Sequence, residues 1–559
     1  MSNNIIRHFV RALAGRYPLL LCVVLSLAGA CVKVGPNFNT PPATVEQQWM
    51  EINNPQLTSG APEYKDWWQV FSDPKLSRLI DVSYRENLQL QAAGIRVLEA
   101  RAQLGIAIGD WYPQTQQAFG SISRNEIGSG VGFGTFGARS SGGAAAGTGS
   151  ATSRTTVSST SGKTLTYKES QLGLQASWEL DFWGKFRRAI EAAEMSVFSS
   201  IAAYDAALVS LTADVASNYV TICTLKERLK IAKENAAIQK ESLEIAQARL
   251  QAGATGERDV QEALSLLRAT QATIPALETS LQQTRNALAI LLGKTPADLD
   301  EGLAGPCPIP SAPPQVAVGI PVDLLRRRPD IRRAEYQAAA QSAQIGVAKA
   351  QLYPAFSLTG TFEVLATNIG TSSLSDMFSW NNRLYSFGST FQWDIFNYGR
   401  LINNVRLQDA RFQELIANYR NTVLQAQQEV ENGLVAFLKA QDQTALLRES
   451  VAASKSSVGL AVFQYREGAI DYTTLLTAQQ NLLTRQDQLA STQGLIAQSL
   501  VGIYRAIGGG WEIRLGRDFV PPEIQKEMAE RTDWNGLLQR KEPPSPAGRP
   551  PILPPPPEW

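Results

Sequence analysis

Two clusters of acidic and hydroxyl side chains lie just beyond glycines: Glu257, Asp259 and Glu262 after Gly253, and Asp471, Tyr472, Thr473 and Thr477 after Gly468. Repeated around a symmetry axis, such positions would form rings that favour cations at a narrow aperture. They would serve equally as helix N-terminal caps, where negative charge is stabilising, and the residues alone leave both readings open. Arg326, Arg327, Arg328, Arg332 and Arg333 would suit an anion, but Asp323, Asp330 and Glu335 are interspersed. The expectation there is a solvated ion-pair network. Catalysis is poorly supplied. The single histidine, His8, falls in a segment expected to be removed, which leaves neither the usual general base nor the commonest metal ligand. Leu292-Gly293-Lys294-Thr295 lacks the upstream glycine and strand of a phosphate-binding loop. The chain is therefore read as a non-enzyme without a cofactor. A formal charge of +1 with no long basic run gives no footprint for nucleic acid.

Residues 1–30 read as a secretory signal: Arg7, Arg11 and Arg16 precede an apolar core at 19–28 and the small residues Gly29 and Ala30. The core is too short to span a bilayer, which takes ~20 residues. Small residues ending in Cys31 resemble the lipobox of bacterial lipoproteins, with Ala28 where Leu is usual. This implies that Cys31 becomes the acylated first residue; cleavage of an ordinary signal near Ala30 is the other reading. Cys223, on a predicted helix, and Cys307, in a Pro-rich linker, are expected to be two separate thiols, although an oxidising periplasm permits a disulfide.

The elements that must carry these residues are legible from a duplication. The octad Trp178-Glu179-Leu180-Asp181-Phe182-Trp183-Gly184-Lys185 returns as Trp393-Asp394-Ile395-Phe396-Asn397-Tyr398-Gly399-Arg400, 215 residues later. At the same displacement, Val197, Ile201, Tyr204, Leu208, Leu211, Val215, Tyr219 and Ile222 map onto Phe412, Ile416, Tyr419, Val423, Ala426, Val430, Leu434 and Phe437. All are apolar at steps of three and four, the spacing of a helix-packing seam. Upstream, Ala102-Gln103-Leu104-Gly105 and Tyr112-Pro113 answer to Ala343-Gln344-Ile345-Gly346 and Tyr353-Pro354 at a displacement of 241. The 26 extra residues belong to a Gly/Ser/Thr/Ala-rich insertion at 128–163. Each half reads as helix, strand, loop, strand and helical hairpin. Strands are expected at 114–124, 164–178, 355–366 and 385–393. Helices of ~100 Å are expected at 185–250 and 399–467, returning through 258–292 and 473–507. Four strands cannot close a membrane barrel, and an open edge in lipid leaves backbone groups unpaired, so several chains must contribute.

The Trp67-Trp68 and Phe71-Ser72-Asp73-Pro74 stretch, the repeated Ala-Gln-Leu/Ile-Gly and Tyr-Pro pairs, the octads and Leu324-Leu325-Arg326-Arg327-Arg328-Pro329-Asp330-Ile331-Arg332 are similar to the TolC-like outer-membrane factors. The match resembles most the NodT and OprM type, the lipoprotein exit ducts of tripartite efflux pumps, and runs from Cys31 to Trp511. The resemblance implies an α+β membrane protein: a homotrimer with a 12-stranded β-barrel in the outer membrane, continued by a long α-helical periplasmic barrel. It also implies passive conduction of small molecules, with a periplasmic adaptor and an inner-membrane proton-driven transporter of the RND type as partners. Rival readings are the duct of a protein-secretion system and a non-transporting envelope scaffold. The expected organisation is a signal peptide (1–30), a lipidated leader (31–74), a first repeat (75–293, β-hairpin 114–178) and an equatorial linker (294–325). A second repeat (326–510, β-hairpin 355–393) and an irregular Pro-rich tail (511–559) follow. In this topology Gly253 and Gly468 turn at the periplasmic tip. In related ducts an acidic residue on the final helix lines the constriction; here Thr473 and Thr477 take the matching positions, and Gln480 stands where a base is frequent. The acidic character of the aperture is thus expected at Asp471, or at Asp259 and Glu262.

Overall fold

The computed structural model describes residues 33–539 except 59, 61–62, 128–164, 300–304, 314, 320, 323–326, 369–373 and 535. The expected signal peptide, Cys31, the 128–163 insertion, Arg326 and the end of the tail lie outside the described residues. The described chain is mostly helical.

The first helix, α1 (Pro74–Glu86), starts as its sequence dictates: the Asp73 carboxylate accepts from the Lys75 amide at 2.8 Å, with Pro74 at the first helical position. The apolar pattern suggests one helix from there to Pro113, but the structure holds two. Asn87 interrupts it, accepting from the Leu90 amide at 2.8 Å to begin α2 (Leu88–Gly109) and donating to the Leu291 carbonyl at 2.9 Å. Asparagine competes with the helical backbone through such local bonds, and the apolar stripe runs on across the break.

Beyond the first strand pair come α3 (Lys185–Gln251) and α4 (Glu257–Leu291), then α5 (Pro329–Ala350), α6 (Arg400–Arg466) and α7 (Tyr472–Ala506). Helices α3 and α6 each have 67 residues, which at 1.5 Å per residue is ~100 Å. Each hairpin turns through a glycine in the left-handed region, Gly253 at φ 71° and Gly468 at φ 79°. The same closing bond follows in both, Ala254 amide to Arg249 carbonyl and Ala469 amide to Gln464 carbonyl, each 2.8 Å. The apolar seam read from the duplication is buried in both halves, with Phe412 alone half-buried. Helix α5 packs against both long helices, α2 against α3, and α7 against α6 and α3.

The longer strands are β2 (Thr115–Ile127), β3 (Leu165–Leu180), β5 (Ala355–Thr367) and β6 (Arg383–Gln392). They form one antiparallel sheet in the order β2-β3-β5-β6, leaving β2 and β6 as edges. Two short strands, β1 (Leu57–Thr58) and β4 (Val316–Ala317), pair in parallel and tie the leader to the linker.

The leader is a strap rather than a free arm. Arg188, 1% exposed, donates to the Val34 carbonyl (3.1 Å), the Gly35 carbonyl (3.1 Å) and Asn37 (3.0 Å), while Glu191 pairs with it at 2.9 Å. Farther along, Thr40 donates to Glu335 at 2.6 Å, and the Glu46 and Met50 amides bond to Gln427 and Glu431.

Three sequence expectations need correction. Cys223 and Cys307 are bonded, with Cα atoms 4.9 Å apart, because the linker folds back against α3 at that level. The arginine cluster is solvated only in part: Arg333 is exposed, whereas Arg327 and Arg328 are drawn into the protein. Arg328 is buried, held by Asp330, by Glu429 at 2.7 Å and by the Ala506 carbonyl at 2.6 Å, while Arg327 pairs with Glu512 and lies over the Tyr64 ring. Nor is 511–559 irregular throughout. A short 3-10 turn (Trp511–Arg514) and α8 (Pro522–Arg531) dock on the helices, with Arg514, Phe519, Val520 and Met528 buried. Arg514 pairs with both oxygens of buried Asp205 on α3, a tertiary contact that no local pattern announces.

Candidate functional site: a two-faced sheet and a helical tip

The sheet has two chemically distinct faces. Register aligns Gly120 with Leu172, Leu172 with Val364, Phe362 with Tyr385, and Phe356 with Phe391, so these positions share one face. Leu172, Leu174, Phe362, Tyr385, Phe387 and Phe391 are exposed on it. The opposite face is polar: Ser121 bonds to Gln171 at 3.4 Å, and buried Gln171 donates to buried Glu363. Apolar side chains thus gather on one face of β3, β5 and β6 and polar ones on the other, as in a sheet that separates lipid from water. Strand β2 is mostly polar on both faces, Phe119 and Ile122 apart.

At the far end the two glycine turns meet. Arg249, in the last turn of α3, donates to the Tyr465 carbonyl and lies over the Tyr465 ring, 4.7 Å from its centroid. Tyr465 and Tyr472 pack edge to face at 5.4 Å, both buried. Burial pushes the Tyr472 hydroxyl up, assisted by Tyr465, Glu262 and Asp259. Below this aromatic pair the α3–α7 contact is a polar ladder. Thr221, Arg228, Asn235, Ser242 and Arg249 recur every seven residues, the period that keeps one helix face against its neighbour. Gln498 donates to Thr221 at 2.8 Å, Arg228 grips Asp487 at 2.7 and 3.0 Å, Asn235 donates to Gln486 at 2.7 Å, and Gln479 donates to Ser242 at 2.6 Å.

The expected aperture residues separate into two groups. Asp471 is the N-cap of α7; its carboxylate accepts from the Thr474 hydroxyl at 2.6 Å and amide at 3.2 Å. Those bonds hold it below the usual carboxylate range. Thr473, Thr477 and Gln480 are exposed at helical spacings of four and three, a hydroxyl and amide stripe, with Thr477 bonded back to the Thr473 carbonyl at 2.8 Å. Asp259 is tucked against the Thr255 hydroxyl, and Arg258 stands 3.9 Å from Asp259 and 3.6 Å from Glu262. Capping accounts for Asp471, and Arg258 offsets the other two carboxylates. The ladder and the Arg249–Tyr465 contact were not anticipated, although the seven-residue recurrence was there to be read. Among the described residues no cluster of His, Cys, Asp or Glu could hold a metal ion.

A family model described as outer membrane efflux protein matches residues 79–294 and 320–509. The chain is 32% identical over 499 residues to the pyoverdine export outer membrane protein OpmQ of Pseudomonas putida, covering 89% of this chain and 98% of that protein. It is 28% identical over 496 residues to the probable outer membrane lipoprotein SilC of Salmonella typhimurium, covering 88% and 98%. Among solved structures, the outer-membrane channel OprN superposes with a TM-score of 0.76 at 29% identity, covering 86% of this chain and all (100%) of that one.

Proposed function

Since the chain belongs to the outer membrane efflux protein family, a family of channels and not of enzymes, we propose that three copies join their sheet edges into one 12-stranded barrel. Their helices would form a continuous periplasmic tunnel beneath it. The observation that carries this reading is the amphipathic four-stranded sheet with two unpaired edges, set on helices ~100 Å long. Solutes cross passively, delivered by a proton-powered inner-membrane transporter that a periplasmic adaptor joins to the duct. The cargo is small molecules, as pyoverdine export by the relative OpmQ suggests. Acyl chains on Cys31 anchor the leader, in keeping with the lipoprotein SilC; two or more such chains anchor stably. The tip formed by the two glycine turns is the aperture. Asp471 and the exposed stripe of Thr473, Thr477 and Gln480 border it, with Asp259 and Glu262 behind.

Planar-bilayer recording of the purified protein tests the reading. Discrete cation-preferring conductance is expected, with cation preference reduced in Asp471→Ala and less affected in Asp259→Ala/Glu262→Ala. A protein that inserts yet conducts nothing would leave the scaffold reading, and wild-type selectivity in both variants would reduce these carboxylates to helix caps.

A further inference from the structure

The two octads share several local bonds. The Trp178 indole donates to the Trp111 carbonyl at 3.1 Å, and the Trp393 indole to the Leu352 carbonyl at 3.0 Å. These donors are 215 residues apart and these acceptors 241, the two displacements of the duplication. Glu179 pairs with Lys185 at 2.9 Å and Asp394 with Arg400 at 3.4 Å. Gly184 and Gly399, which precede the long helices, have φ of 76° and 80°.

The halves part company one residue earlier. Trp183 is covered by the second half of its own chain: it stacks on Tyr353, with ring centroids 4.6 Å apart and planes at 22°, and its indole donates to the Pro354 carbonyl at 2.8 Å. Its counterpart Tyr398 is fully exposed (103%). It also sits at φ 50°, one of two positive-φ non-glycine residues among the described residues, a conformation that persists where surroundings over-determine it. The same displacements carry Tyr353-Pro354 onto Tyr112-Pro113. Tyr112-Pro113 leads into β2 and Tyr398 follows β6, and these strands are the opposite edges of the sheet. A sheet of four strands cannot close on itself to unite them. The helices repeat this imbalance. Helix α3 packs against α2, α4, α5 and α7, whereas among the described residues α6 packs mainly against α5 and α7, without α2 beside it.

We propose that Tyr398 of one copy seats against Tyr112 and Pro113 of the next copy, its hydroxyl donating to the Pro113 carbonyl, with the next copy's α2 along α6. The contact repeats between chains what Trp183, Tyr353 and Pro354 do within one. This rests on assembly through the sheet edges, and the test separates the two.

The full chain carrying Tyr398→Cys and Tyr112→Cys, in outer-membrane vesicles, is treated with a short bis-maleimide and run on a denaturing gel. Native mass measurement of the same sample gives the copy number. Dimeric and trimeric ladders from the double variant, absent from either single variant, are the expected result. A trimer by mass without a ladder, and with the thiol introduced at position 398 protected by lipid instead, overturns the seat while leaving the assembly standing. A monomer by mass overturns both. Tyr398→Ala supplies a reading free of cysteine chemistry: the oligomer should dissociate at lower temperature than wild type while helical content stays unchanged, and an unchanged dissociation temperature counts against the seat.

Discussion

Helices α3 and α6 have equal length, equal turns and a shared apolar seam, yet they live in different surroundings. On α3 the seam is only one buried face among several: Arg188 holds the leader, Asp205 the C-terminal segment and Cys223 the linker. On α6 the buried residues keep to a single stripe through Ile416, Tyr419, Val423, Val430 and Phe437, while Leu407, Leu424, Val435, Leu446, Leu460 and Phe463 stand exposed. At the same register, Asp205 is buried and Arg420 is exposed. Duplicated local sequence therefore reproduces local geometry, whereas burial depends on what the rest of the chain lays over each copy. The first copy is completed from within; the second leaves apolar side chains of α6 exposed.

The most damaging way to probe the contrast is to remove Asp205. Its carboxylate meets Arg514 on both oxygens and stands 3.7 Å from Arg332, and stripping one partner from a buried pair costs about 3–5 kcal/mol. Asp205→Ala should lower stability by that order in denaturant unfolding of detergent-solubilised protein. Arg420→Ala should stay within ~0.5 kcal/mol, as exposed substitutions usually do; equal losses would erase the contrast between the helices. A smaller effect tests their likeness. Trp178→Phe and Trp393→Phe each delete the same indole-to-carbonyl bond, and each should cost about 1 kcal/mol. If one costs several times the other, the octads are not equivalent units.

The smallest effect concerns the tips. Helix α7 begins on the charged cap Asp471, and α4 begins on Gly256 without a side-chain cap. Because the Asp471 carboxyl is held below its ordinary range, its contribution is complete above the unfolded value of about 3.9. That contribution is lost as pH falls through the depressed folded one. Amide exchange at Thr474 should therefore accelerate in acid relative to the first turn of α4, and parallel behaviour of the two turns would remove Asp471 from the account.

What could be read in advance was what repeats locally. Steps of three and four bury Val197 through Ile222 and their counterparts whatever the remote context, and glycines mark the turns because a left-handed backbone is cheapest there. The interruption at Asn87 was hidden because the apolar stripe continues through it. Arg188, Arg249 and Arg514 resisted reading for another reason: their partners lie 154, 216 and 309 residues away. An arginine bound for a buried carbonyl has the same local signature as one bound for water. Of the aperture, the positions of Asp471 and Thr473 were legible, but the polar ladder behind them required knowing which face of α3 meets α7.

The bond between Cys223 and Cys307 closes a covalent ring that contains all of α4 and its turn. Mechanically this is a fulcrum. From Cys223 to the turn α3 runs about 40 Å at 1.5 Å per residue, so the first hairpin is a cantilever clamped at that height and can move its tip only by bending below the clamp. No such ring closes the second hairpin among the described residues, which leaves α6 and α7 a longer lever arm.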